Sequence, residues 1–179
     1  RFKSYGDKLR NNLMIVRPIR YLGDPVLRKK ANQVKLINKD IHVLVVSMFN
    51  SMNKAQGVGL AAPQVGVNLA IAVIDIPNHE PFTIINPVIT KSTGKRIVEN
   101  EGCLSVPGYR GNPERSIEVF VEAKDVNNRQ IKFHAQNNLL AQVLEHEIDH
   151  LQGSLYIDRL KDINELVKLN SPDWNDPVD

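Results

Sequence analysis

"LEHEIDHLQG" (Leu144–Gly153) places His146, Glu147 and His150 in the order H-E-x-x-H. Leu139, Leu140, Val143, Leu144 and Leu151 recur at helical spacing, so a helix is expected over about 137–151, closed by Gly153. On a helix, residues four apart stand one above the other, their Cβ atoms roughly 5–6 Å apart. Both imidazoles can then face one ion, with Glu147 at the rim of the same face to handle the proton of a bound water. The bland reading of the same residues is a pair of polar histidines on an ordinary helix. The choice between them turns on a third ligand.

Downstream of His150 there is no histidine, and Glu165 is the only glutamate, about four turns further on. Upstream, "ENEGCLSVPG" (Glu99–Gly108) holds the sole cysteine, Cys103. Flanked by Gly102, Pro107 and Gly108, it reads as a tight turn with exposed backbone rather than a core strand. A thiolate in such a turn can approach a metal, and sulfur favours Fe(II), Zn or Co over Mg or Ca. A lone cysteine excludes an internal disulfide, and its ordinary role is that of a small buried hydrophobe. A third stretch, "GVGLAAPQVG" (Gly57–Gly66), sets Gln64 in an otherwise apolar loop, with glycines that let a ligand approach the backbone. It lacks the phosphate-loop pattern and could equally be a helix-to-strand connector. His42, His79 and His134 have no such partners and read as structural or solvated.

With 179 residues and 42% hydrophobic content, the chain can build one domain with its own core. Its apolar runs, "IHVLVVSMF" and "LAIAVIDI", are far short of the roughly 20 residues that cross a bilayer. The net charge is +3, with basic residues gathered in the first 40 positions. Phe2, Tyr5 and Tyr21 among them do not make the repeated interleaving of a single-strand reader, so a solvated basic face is expected rather than an RNA-attracting one. A helix is expected over about 38–54, ended by Gly57, and a third near 163–169. Between them, "LAIAVIDI", "FTIINPVIT", "RIVEN", "IEVFVEAKD" and "QIKFHAQ" read as strands. This order gives an α+β fold, small antiparallel or mixed sheets packed around a central metal-binding helix. The domain boundaries expected are a loose extension over 1–16, one catalytic domain over 17–170 and a tail over 171–179.

Taken together, "GVGLAAPQ", "EGCLS" and "HEIDH" resemble the three signature motifs of the peptide deformylases, and the likeness runs from about Arg17 to Leu160. The resemblance implies a single divalent metal held by Cys103, His146 and His150 with water as fourth ligand. Fe(II) is the metal it implies, with Zn, Co or Ni as substitutes. It also implies roles for Gln64, for the backbone N–H of Leu104 and for Glu147 in removing the formyl group from formyl-methionyl nascent chains at the ribosome. The rival readings are a zinc endopeptidase and a non-enzymatic metal-stabilised domain. An extended peptide is expected to pair beside Val58, Gly59 and Gly102, its methionine side chain meeting Leu139 and Val143. Gln142 borders that face and leaves the apolar lining incomplete. No DNA or membrane partner is expected. The start at Arg1 rather than Met and the 18 asparagines point to a processed organellar enzyme of apicoplast type, with a bacterial cytoplasm as the alternative.

Overall fold

The computed structural model describes residues 15–169. The expected tail over 171–179, and all but the last two residues of the expected N-terminal extension, lie outside that range. Two α-helices carry the frame, α1 (Lys39–Lys54) and α2 (Leu139–Gln152). Each opens on an asparagine cap. Asn38 Oδ1 accepts from the N–H groups of Asp40 and Ile41, both at 3.1 Å, and Asn138 Oδ1 accepts from that of Ala141 at 2.9 Å. Gly153 closes α2 in the left-handed conformation, φ 80°.

Strands β1 (Gly59–Ala61), β2 (Ile71–Ile74), β3 (Phe82–Thr93), β8 (Glu118–Lys124) and β9 (Gln130–Gln136) form one antiparallel sheet in the order β1-β2-β3-β8-β9. Period-two alternation decides which helix each residue meets. Leu60, Ile71, Val73 and Ile85 pack with Leu44, Val45, Met48 and Met52 of α1. Their neighbours Ala61, Ala72, Ile74 and Ile84 pack with Leu140, Ala141, Leu144 and Ile148 of α2. The β1–β2 half is therefore covered on both faces, which is why "LAIAVIDI" is unbroken in its apolarity. The β8–β9 half turns Val119, Val121, Ala123 and Ala135 inward, with Ile131 and Phe133 half-buried beside them, and its sequence alternates.

Two smaller sheets complete the fold. One is β10-β6-β5, from β5 (Glu101–Cys103), β6 (Val106–Gly111) and β10 (Val167–Lys168); the other pairs β4 (Arg96–Ile97) with β7 (Glu114–Arg115). The α+β class with a central site-bearing helix stands, and every ladder is antiparallel. Three local expectations are corrected. Cys103 lies in a strand paired with β6, and the expected tight turn is confined to Leu104–Ser105 between them. "GVGLAAPQVG" contains edge strand β1 followed by a 3-10 turn, Ala62–Val65. The third helix is a 3-10 turn, Ile163–Glu165, running into β10. Seven residues are too few for a helix to stand alone, whereas β6 offers a partner edge.

Candidate metal centre

Cys103 comes from β5, and His146 and His150 from α2. Their ligand atoms lie within 4.8 Å of one another, the one such group among the described residues. Cys103 Sγ stands 3.2 Å from His150 Nε2, and both residues are buried. His146 Nδ1 donates to Glu101 Oε1 at 2.7 Å, which leaves its Nε2 for the cluster. Burial, and then the neighbouring His146, hold His150 well below the usual histidine range. Neutral imidazole is the form that ligates. A thiolate with two imidazoles suits Fe(II), Zn, Co or Ni, so the residues fit a transition metal. The other histidines stand apart: His42 sits in α1 against Asn38 O, and His134 in β9 pairs with Glu118 at 2.7 Å.

Glu147 was expected at the rim of the helix face, and it is instead 3% exposed. Burial pushes its carboxyl up to about 7, and Oε2 has no hydrogen-bond partner. A cation at the cluster would draw that value back down. What admits the carboxylate is Gly59, where a Cβ would lie 2.3 Å from Glu147 Oε1. Gly59→Ala is thus expected to displace the carboxylate and lower turnover by roughly 10²-fold while the protein stays folded. Circular dichroism beside a formate assay checks this, and unchanged turnover would contradict the close approach.

Glu147, Cys103 and His146 open on a cleft of about 330 Å³. Val58, Gly59, Gln64, Gly102, Leu104, Leu139 and Val143 all line it, so the positions singled out in the sequence meet in one place. Gly57, whose stretch was expected to let a ligand approach the backbone, lines it too, and so do Gln56, Asn100 and Arg110, which were not foreseen. Gln142 also borders the cleft, its amide donating to Glu101 Oε2 at 3.2 Å, so one wall is polar. Edge strand β1 of the large sheet and edge strand β5 of the small one both reach this space.

The family profile for polypeptide deformylase matches residues 16–165. The chain belongs to this family. A peptide deformylase of Dehalococcoides mccartyi (strain CBDB1) is 43% identical over 161 residues, which is 89% of this chain and 95% of that protein. The crystal structure of a peptide deformylase from Legionella pneumophila matches with a TM-score of 0.79 at 42% identity, covering 84% of this chain and 89% of that one. A class I type b peptide deformylase from Acinetobacter baumannii, solved with Met-Ala-Ser bound, matches with a TM-score of 0.78 at 29% identity, covering 83% of this chain and 100% of that one.

In this deformylase-family chain a polar scaffold holds Cys103 and His146, while His150 Nδ1 is buried with no hydrogen-bond partner. Cys103 Sγ receives the N–H of Ser105 at 3.4 Å and the amide of Gln64 at 3.5 Å. Gln64 also donates to Ser105 Oγ at 3.1 Å and accepts from the N–H of Ala61 at 2.8 Å, so its orientation is set from both ends. Arg115, with none of its side chain exposed, bonds both oxygens of Glu101 and donates to Asp149 Oδ2 at 2.7 Å. Burial pushes the Glu101 carboxyl up, yet the hydrogen bonds from His146 and Arg115 outweigh it and bring the group to about 2. Asp149 is further paired with Arg159. The sequence reading missed Glu101 and Arg115. Nothing local pointed to Arg115, which falls between the runs that read as strands.

Proposed function

We propose that the chain hydrolyses the N-terminal formamide of formyl-methionyl nascent polypeptides, releasing formate and a free methionyl amine, with residues 17–170 as the catalytic unit. The carrying observation is Glu147. Its unpartnered carboxylate oxygen is buried beside the Cys103–His146–His150 cluster, in a cleft flanked by two strand edges. A structural metal site has no use for such a carboxylate, and an open cleft gives it a substrate.

A divalent ion held by Cys103, His146 and His150, Fe(II) by preference with Zn, Co or Ni as substitutes, supplies Lewis acidity there when bound. Glu147 takes the proton from the attacking water and passes it to the leaving amine nitrogen. The Gln64 amide and the Leu104 N–H serve the formyl oxygen as it becomes negative, each such donor accounting for about 10²–10³ in rate. Both hydrogens of the Gln64 amide are engaged, on Cys103 Sγ at 3.5 Å and Ser105 Oγ at 3.1 Å, so one of these contacts gives way when the amide serves the formyl oxygen. The peptide backbone lies along Val58–Gly59 and Gly102, and Leu139 and Val143 receive the methionine side chain. The Acinetobacter relative holds Met-Ala-Ser, a peptide that begins with methionine, and this supports the polarity chosen. The relatives named above are bacterial and lend nothing to the organellar expectation. With no support from these relatives, the activity is proposed without a compartment.

The test is formate release from formyl-Met-Ala-Ser by anaerobically prepared Fe(II) protein. Chelation is expected to abolish it and Fe(II), Co or Ni to restore it. In air the Fe(II) form should lose activity while the Ni form keeps it, because iron beside a thiolate invites oxidation. Equal air stability of the two forms would refute that last point. Cleavage of unformylated peptides without formate release would turn the assignment to an endopeptidase.

A further inference from the structure

Among the described residues six other than glycine have positive φ, and five of them are asparagines. The sixth is Gln56, at φ 53°. The left-handed region suits glycine and tolerates asparagine, whose short amide can bond nearby backbone. For other residues it is costly. Gln56 occupies the closing turn of α1, where its N–H donates to Asn53 O at 3.1 Å and that of Gly57 to Met52 O at 2.9 Å. Glycine is the usual residue at such a position. Packing does not account for glutamine there, because the side chain is exposed. Nor does an internal hydrogen bond, since among the described residues its carboxamide has no partner. Gln56 lines the cleft, just ahead of Val58 and β1.

Resting on the reading of this cleft as a peptide site, we propose that Gln56 is a substrate-binding residue whose carboxamide hydrogen-bonds the peptide backbone beyond the first residue. Gly59 lies against Glu147, where the formyl group must sit. Gln56 precedes it by three residues, up to about 10 Å of chain, a span that an extended peptide covers in about three residues. A primary amide both donates and accepts, so it matches a peptide group whatever side chain follows. That suits an enzyme whose substrates share only their first residue. Asn100, φ 56°, also lines the cleft, just ahead of β5. The two strand edges are thus entered alike.

The experiment compares metal-loaded wild type, Gln56→Gly and Gln56→Ala with formyl-Met-Ala-Ser and with formyl-Met, which ends before the proposed contact. Gln56→Gly relieves the backbone and loses the amide. Its Tm should rise by about 2–4 °C, and its KM for the tripeptide by about 5–10-fold at unchanged kcat. Gln56→Ala keeps the backbone cost, so the same KM rise should come without the gain in Tm. Neither variant should alter KM for formyl-Met. An unmoved tripeptide KM in a working enzyme overturns this proposal alone, as does an equal KM shift for both substrates or a fall in kcat. A wild type that releases no formate from either substrate overturns the deformylase reading and this one together.

Discussion

Glu147→Gln is expected to lower formate release by about 10²–10⁴-fold with metal content unchanged. The substitution keeps the shape that fits against Gly59 and removes only the ability to carry a proton. Glu147 is not among the three cluster residues, so the ligand set survives. A loss of fold is not expected either. The wild-type carboxyl is buried with one oxygen unpartnered, and burial already works against its charge. The variant should melt no lower than the wild type. Activity, metal analysis and melting together separate chemistry from structure, and activity within tenfold of wild type would remove Glu147 from the mechanism.

Arg115→Met should bring the largest loss of stability. Its guanidinium joins Glu101 of β5 to Asp149 of α2, the two elements that carry the cluster, with no solvent in reach of its side chain. Taking away one member of a buried ionic group leaves the others uncompensated, at a cost of about 3–5 kcal/mol. For a domain of this size Tm then falls by roughly 6–20 °C. Asp149 keeps Arg159, so Glu101 bears most of the damage. Removing Glu101 as well, in Arg115→Met/Glu101→Met, should recover part of the loss, because an absent pair is cheaper than a broken one. The double variant should still bind metal about 10–100-fold more weakly, since His146 has lost the acceptor that orients it. A single variant melting within a degree or two of wild type would show the network to be dispensable.

The features legible in the sequence are the local ones. Both α-helices, expected over 38–54 and 137–151, end within two residues of their observed bounds, because periodicity and a closing glycine are read within a few positions. The long strands follow for the same reason. What failed was non-local. Glu101 looked like part of an exposed turn because its partner Arg115 stands 14 residues away and Asp149 further still. β10 exists only because β6 has an edge to offer. Helical geometry gives Glu147 its direction, but the glycine strand that closes over it comes from another part of the chain. The cysteine ligand was reached through family resemblance, since spacing alone left Glu165 in contention. Gln56 gave no signal, because its backbone conformation is set by the helix ending rather than by its own preference.

The large sheet is dry on both faces at one end and wet on one face at the other, and this divides the molecule in time. Backbone amides in β9, an edge strand with mostly exposed or half-buried residues, can exchange with solvent through small, frequent openings. Those of β2, buried along its whole length between two helices, exchange only when the domain comes apart. Gly59, which holds Glu147 in place, is laddered to Ile74 of that slowest strand. The protein can therefore breathe at the hairpin end of its sheet, many times over, while the geometry around Glu147 stays still.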